Sequence, residues 1–155
     1  MISIRPGTAA DAAGIAACLR RAFEPYQQRY TAEAYRATVL TAAGVVERMQ
    51  TMTTFVARTG DGAIVGTVAA EAMQEATGHL RGMAVDPSSQ GAGVADLLLE
   101  AAEQHLRSRG CSRVTLDTTA PLTRAIRFYE RQGYRPSGHV GTYFGMQLFE
   151  YVKQL

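Results

Sequence analysis

A glycine-bearing turn between an apolar run and an amphipathic segment holds the residue types in this chain that most suggest chemistry. The run contains Leu80, Met83, Ala84 and Val85. Pro87 ends it because proline has no backbone N–H to donate to a sheet. Gly91 and Gly93 follow, and apolar residues then recur over 94–106 at the i, i+3, i+4 spacing of a helix. The first N–H groups of a helix lack internal partners and favour anions, so the turn indicates a phosphate or diphosphate site.

Two common phosphate loops do not fit this stretch. A dinucleotide fingerprint needs a third glycine at position 96, which is aspartate here, and no G-x-x-x-x-G-K-[ST] occurs in the chain. The stretch instead resembles the acyl-CoA loop of the GNAT N-acetyltransferases, [RQ]-x-x-G-x-[GA] after V-x-P. The matching residues are Val85, Pro87, Gln90, Gly93 and Ala95. A second family block, A-x-x-[FL]-Y-x-x-x-G-[FY], is similar to residues 125–134.

The resemblance implies acetyl-CoA as cosubstrate and no metal. In the family, loop N–H groups hold the diphosphate of coenzyme A, and the end of the preceding strand pairs with its pantetheine arm. The positions carried over are Met83, Ala84, Val85, Gln90, Gly91, Ala92, Gly93, Val94 and Ala95. Many members carry asparagine where this chain has Leu122, which leaves open whether Thr119 or Thr123 replaces that contact.

Tyr129 is the candidate general acid. The family places the tyrosine of the second block beside the cofactor sulfur. A thiol has a pKa of about 8.5 and a phenol about 10, so a phenol at that place can protonate a leaving thiolate. The alternative is that Phe128 and Tyr129 are simply core aromatics, an interpretation that we favour for Phe128 alone.

The general base has several candidates. A primary amine is mostly charged at neutral pH, so transfer needs a proton acceptor. His79 opens the strand before the loop, at the position where histone-acetylating members have a glutamate, and histidine titrates in the useful range. Glu71 is a second candidate, although its alternation with alanines also suits a solvent-facing carboxylate. Glu75 and Asp117 are further rivals.

The acceptor site is expected from residues 24–35 and 139–145. The candidate substrate-binding residues are Glu24, Tyr26, Tyr30 and Tyr143. A carboxylate among aromatic rings can receive a cationic amine. Packing between helices explains the same aromatics equally well, and no residue identifies the substrate.

The remaining pattern predicts the elements that position these residues. Strands are expected near residues 2–4 and at 53–58, 63–73, 79–85, 113–118, 134–137 and 143–151; helices are expected at 8–23, 31–40, 94–106 and 122–132. The order predicts one α/β domain over residues 1–155, with a mixed, mostly antiparallel sheet and flanking helices, as in the GNAT fold. The strands on either side of the central helix should be parallel.

Composition narrows the function further. The chain has 155 residues, 46% hydrophobic and 19% charged, with a net charge of +2, which disfavours nucleic acid as a partner. Cys18 and Cys111 are expected to be buried thiols, and no signal peptide or membrane span is apparent, so we expect a cytoplasmic protein. Family members often dimerise through C-terminal strands, so the apolar segment 144–155 makes a homodimer plausible.

These observations favour acetyl transfer from acetyl-CoA to an amine of a small molecule or peptide, by direct attack in a ternary complex. One alternative is transfer of another acyl group, or transfer to a hydroxyl. Another is a non-catalytic module that binds acyl-CoA as a regulatory ligand.

Overall fold

The computed structural model describes residues 1–155 and contains seven strands and five helices. The strands are β1 Ser3–Pro6, β2 Thr53–Arg58, β3 Ile64–Ala72, β4 Thr77–Val85, β5 Arg113–Thr118, β6 Arg135–Tyr143 and β7 Met146–Gln154. The helices are α1 Ala12–Phe23, α2 Ala32–Thr38, α3 Ala42–Arg48, α4 Val94–Ser108 and α5 Thr123–Arg131. Short 3-10 turns occupy Ala9–Asp11, Glu24–Arg29 and Pro87–Ser89. None of the helices has the length and apolar character that crossing a bilayer requires.

All seven strands form one sheet in the order β1-β2-β3-β4-β5-β7-β6. Neighbouring strands are antiparallel except β4 and β5, which are parallel and are connected through α4. The predicted mixed, mostly antiparallel sheet with flanking helices is therefore confirmed, as is the parallel pair around the central helix. The bounds predicted for β2 and β5 agree with the structure.

The sheet separates two apolar clusters. Side chains alternate between the faces of a strand, and β2 shows this directly, because Phe55 and Ala57 join one cluster while Val56 joins the other. The buried face of α4 packs on the Phe55 side together with Tyr129 of α5. The buried face of α1 packs on the Val56 side together with Val45 of α3.

Two predictions of secondary structure were wrong. Residues 42–48 form a helix that the pattern missed, because a glycine and two valines make its interior unlike a helix. Its N-cap is nevertheless regular, with the Thr41 hydroxyl accepting a hydrogen bond from the Gly44 N–H at 3.2 Å. The final strands are β6 and β7, which are longer than the predicted 134–137 and 143–151.

The turn between β6 and β7 explains that second error. Phe144 and Gly145 both have positive φ, 48° and 83°, and form the two-residue connection. Aromatic residues favour strands, so the prediction placed Phe144 in a strand and missed the turn at that position. Tyr143 consequently ends β6 and does not begin β7.

A buried ion pair joins α4 to β7. Glu103 is 6% exposed, and its carboxylate accepts hydrogen bonds from Lys153 Nζ at 3.0 Å and from the Tyr134 hydroxyl at 2.8 Å. Tyr134 is fully buried, and burial with this carboxylate raises the pKa of its phenol. The buried Glu103 carboxylate thus accepts a hydrogen bond from each of these two side chains.

We expect Lys153→Met to lower the free energy of unfolding by about 2 kcal/mol, because it removes the nearer of the two cations beside the buried Glu103 carboxylate, the other being Arg107 at 4.0 Å. For a domain of this size that loss lowers Tm by about 4–8 °C. Thermal unfolding of the variant measures it, with Arg109→Met as the control since Arg109 is an exposed cation in no salt bridge. Equal Tm values for the two variants would show that the pair does not stabilise the fold.

Candidate functional site

The site begins where β4 and β5 separate. The two strands pair as far as Leu80 and Leu116, and β4 then continues to Val85 without β5 beside it. A β-bulge marks the separation, because Gly82 and Met83 together oppose the single residue Val68 of β3. The edge of β4 that would face β5 therefore has unpaired backbone groups, which can pair with an extended ligand.

The turn after β4 presents a row of free backbone donors. The first hydrogen bond of the α4 backbone runs from the Leu97 N–H to the Gly93 carbonyl at 3.2 Å, so the N–H groups of 91–96 have no acceptor in the chain. Gly91 and Gly93 have φ of 83° and 81°, which glycine adopts readily. No atom lies within 4 Å of the position of a Cβ on either residue. The space beside both glycines is thus open, so an anion such as a diphosphate can approach the free N–H groups of the turn.

A cleft runs from this turn to α5. Of the positions predicted to hold coenzyme A, it is lined by Met83, Ala84, Val85, Gln90, Gly91, Gly93, Val94, Ala95 and Tyr129, with Ala92 outside the wall. Arg124 and Arg131 of α5 also line it. Both are exposed cations that sequence reasoning missed, although their spacing around the Tyr129 block would have placed them on the same helix. We call this the cofactor cleft.

A second cleft lies on the β5 side of the same separation. Its walls include His79 and Arg81 of β4, Asp117 of β5, and Tyr30 and Tyr143. The two clefts share Phe23, Met83, Leu122, Ala125 and Tyr129. We call the second one the acceptor cleft.

Tyr129 stands at the junction of the two clefts. Its ring packs against Phe128 and Tyr134, with centroids 5.6 and 5.8 Å away, and the residue is 7% exposed. Burial is the one influence on its pKa, which lies well above the ordinary value for tyrosine. The hydroxyl is therefore protonated at neutral pH, and no charged or hydrogen-bonding group of the chain competes for its proton.

His79 lies in the acceptor cleft between two partners on β5. Its Nδ1 is 2.8 Å from the Thr115 hydroxyl, and its Nε2 is 3.5 Å from Asp117 Oδ2. Burial lowers the pKa of the imidazole more than Asp117 raises it, and nearby Arg81 lowers it further. His79 is therefore neutral at pH 7 and able to accept a proton.

The other candidate bases are placed less centrally. Glu71 is opposite His79 in the β3–β4 pairing but lines neither cleft. Glu75 is exposed in the turn before β4, with a φ of 59°. Asp117 lines the acceptor cleft, with a side chain 33% exposed.

The two segments expected to bind the acceptor meet in the structure. The Thr31 hydroxyl donates to the Phe144 carbonyl at 2.6 Å, and the hydroxyls of Thr38 and Tyr143 are 3.0 Å apart. These contacts fasten the β6–β7 turn to α2, and Tyr143 thereby becomes a wall of the acceptor cleft.

The remaining predicted acceptor residues are distributed differently. Tyr30 lines the acceptor cleft and is hydrogen-bonded to Thr119 at 2.7 Å, and burial raises the pKa of its phenol. Tyr26 lines the cofactor cleft instead. Glu24 is exposed at the start of a 3-10 turn and lines neither cleft.

Leu122 and its neighbours show what replaces the family's asparagine. Leu122 occupies the N-cap position of α5 and makes no side-chain capping bond. Thr119 has its hydroxyl engaged with Tyr30, and Thr123 is exposed as the first residue of α5. The start of α5 is thus apolar at the point where both clefts meet.

The two cysteines lie away from this site. Cys18 and Cys111 are buried free thiols outside both clefts, and burial raises the pKa of Cys18 to about 11. No three His, Cys, Asp or Glu side chains converge in a geometry that could hold a metal ion.

Comparison with known proteins gives a family match over most of the chain. Residues 15–134 match the model of the acetyltransferase (GNAT) family. A mycothiol acetyltransferase of Beutenbergia cavernae is 36% identical over 77 residues, and a glucosamine 6-phosphate N-acetyltransferase of Trypanosoma brucei brucei is 38% identical over 60 residues. These matches cover 50% and 39% of this chain, and only 26% and 39% of the two relatives.

Solved structures show the same fold. The PaiA N-acetyltransferase of Thermoplasma acidophilum, in complex with coenzyme A, superposes with a TM-score of 0.85 over 100% of this chain and 99% of its own, at 15% identity. A GNAT-family acetyltransferase of Staphylococcus aureus Mu50 gives 0.81 over 100% and 99%, also at 15% identity. The similarity therefore extends over the whole chain, including the separated strands that form the clefts.

Proposed function

Because this chain belongs to the acetyltransferase (GNAT) family, we propose that it transfers an acetyl group from acetyl-CoA to an amine of a small molecule or peptide, by direct attack in a ternary complex. The observation that carries the proposal is the row of free N–H groups at 91–96, which leads along one cleft to the phenol of Tyr129. The cofactor and the acceptor would enter from opposite sides and meet at that residue.

The cofactor cleft fits coenzyme A by its backbone. The N–H groups of 91–96 would bind the diphosphate, and Arg124 and Arg131 add positive charge to the same cleft. The free edge of β4 up to Val85 would pair with the amides of the pantetheine arm. When bound, acetyl-CoA supplies an acetyl group activated as a thioester.

Tyr129 would protonate the departing thiolate. A phenol with a raised pKa keeps its proton until a strong base forms beside it, and a thiolate in the same buried setting is also made more basic. The phenol would therefore still hold its proton when the thiolate develops beside it.

His79 would accept the proton of the attacking amine, directly or through one water molecule. The bond between Nδ1 and Thr115 fixes the ring, and the Asp117 carboxylate near Nε2 stabilises the imidazolium that forms. The lowered pKa leaves the ring deprotonated, and thus able to act as a base, at neutral pH.

The pH dependence of kcat/KM tests this assignment. A base works when deprotonated, so activity should be level at neutral pH and should fall as the pH drops through the His79 pKa, which burial lowers from the ordinary value for histidine. We expect His79→Gln to lower kcat/KM by about 30-fold at pH 7.5 and to remove this acidic limb.

Glu71→Gln is the matched control for that profile, because Glu71 is the cross-strand neighbour of His79 and lines neither cleft. It should keep the rate and an acidic limb, displaced slightly to lower pH because the Glu71 charge raises the pKa of His79. An acidic limb that survives in His79→Gln and disappears in Glu71→Gln would transfer the role to Glu71.

Two measurements test the proposed function as a whole. Calorimetry should detect binding of coenzyme A and acetyl-CoA, and a thiol-release assay should find turnover with an amine. The panel should include glucosamine 6-phosphate, because one relative carries that substrate in its name. Absence of coenzyme A binding would contradict the proposal, whereas binding without thiol release from any amine would indicate a non-catalytic acyl-CoA-binding module.

A further inference from the structure

Two arginines in the acceptor cleft have no anionic partner. Arg48 at the end of α3 and Arg81 on β4 both line the cleft. The salt bridges formed by arginines in this chain use Arg5, Arg21 and Arg107 only. Arg48 is half-buried, whereas Arg81 is exposed. A half-buried cation without a counter-charge is unfavourable, so an anion bound beside Arg48 would complete the pair.

Arg48 is held against the bulge of β4. A Cβ on Gly82 would lie 2.6 Å from Arg48 Nη1, so the absence of a side chain at Gly82 makes room for the guanidinium. Gly82 also has a φ of 64°, which glycine tolerates. Arg48 is half-buried there, and burial together with the charge of Arg81 lowers its pKa. The Arg48 guanidinium thus occupies the space that a side chain at position 82 would fill.

The charges of the acceptor cleft are separated along β4. His79 and Arg81 are two residues apart on one strand, so their side chains share a face and are about 7 Å apart. Asp117 is the one carboxylate in the cleft wall, and it lies beside His79. Tyr30, Tyr129 and Tyr143 add aromatic rings to the same wall. The cleft therefore has a proton-accepting end at His79 and a cationic end at Arg81 and Arg48.

We propose that the acceptor carries an oxoanion, a carboxylate or a phosphate, in addition to its amine, and that Arg48 and Arg81 bind this group. The inference rests on the proposed function and specifies its substrate class. Guanidinium groups bind both oxoanions through paired N–H donors, and the partial burial of Arg48 weakens screening of its charge by salt. Binding the anion at the bulge places the amine toward His79.

Matched amines that differ only in the anion test the proposal. One pair is 3-aminopropyl phosphate and 3-aminopropanol, and the other is 5-aminopentanoate and its amide, so the two pairs distinguish phosphate from carboxylate. In the thiol-release assay we expect kcat/KM to be at least about tenfold higher for the anionic member of one pair, which corresponds to roughly one charge-assisted contact.

Arg48→Gln and Arg81→Gln should each reduce that preference to about twofold or less, mainly through KM, because the lost contact binds substrate and transition state alike. Arg109→Gln, which removes an exposed cation outside both clefts, should keep the preference. Thermal unfolding and the Kd for coenzyme A, unchanged in all three, show that the variants are folded with an intact cofactor cleft.

The possible results distinguish failure of this inference from failure of the proposed function. Equal turnover of both members in both pairs, turnover of none of the four, or a preference that survives in Arg48→Gln and Arg81→Gln would overturn the inference while coenzyme A binding persists. Loss of coenzyme A binding in the unaltered protein would instead overturn the proposed function.

Discussion

Tyr129→Phe will lower kcat by about 100-fold with little change in the Kd for coenzyme A, if the phenol supplies a proton to the leaving thiolate. The substitution removes only the hydroxyl and keeps the ring between Phe128 and Tyr134. The hydroxyl makes no hydrogen bond within the chain, so its loss should leave the free energy of unfolding nearly unchanged. Thiol release under saturating acetyl-CoA and calorimetry with coenzyme A measure the two quantities.

Tyr134→Phe is the matched control in the same block of sequence. Its hydroxyl donates to the buried Glu103 carboxylate, so removing it should cost about 1–2 kcal/mol of stability. Tyr134 lines neither cleft, so kcat should stay within about twofold. Tyr129→Phe should therefore lose turnover and keep its stability, whereas Tyr134→Phe should lose stability and keep its turnover. An unaltered kcat in Tyr129→Phe would remove the acid role.

Gly93→Val should weaken coenzyme A binding by about 30-fold, or roughly 2 kcal/mol. Gly93 has a φ of 81°, and valine there forces the turn toward another conformation, so the N–H groups of 91–96 no longer point to one site. Calorimetry with coenzyme A measures the loss directly and does not depend on the identity of the acceptor.

Gly110→Val separates the loss of binding from simple backbone strain. Gly110 ends α4 with a φ of 85°, and no atom lies within 4 Å of its Cβ position, the same circumstances as at Gly93. Both valines should cost about 1–2 kcal/mol of stability, but only Gly93→Val should affect coenzyme A. Equal affinities in the two variants would show that the loop does not hold the diphosphate.

The parts of the fold set by local pattern were predictable from the sequence. The β-branched and aromatic run of β2 and the apolar periodicity of α4 are local signals, and both elements lie where expected. The turn with Gly91 and Gly93 was predictable for the same reason, because its glycines, the preceding proline and the following helix are contiguous. Where backbone atoms bind a ligand, the backbone must adopt a particular conformation, and the residue types which that conformation requires can be recognised in the sequence.

The acceptor cleft was harder to predict because long-range pairing builds it. The separation of β4 from β5 depends on a bulge at Gly82 and Met83, and the residue pattern of β4 alone reads as a continuous strand. Arg48 was missed because its helix was missed, although Thr41 is an N-cap signal for that helix. Glu24 lies in the expected segment, yet the 3-10 turn directs it to solvent.

The two clefts have different kinds of wall, and this difference affects how the acceptor specificity can change during evolution. The diphosphate end of one cleft consists of main-chain donors, which most substitutions leave in place, whereas the far wall of the other consists of side chains such as Tyr30, Arg48 and Tyr143 from three separate elements. Random substitutions can therefore change which amine binds while the nucleotide remains bound. A lineage built on this scaffold can change its chemical target in small steps without passing through an inactive ancestor.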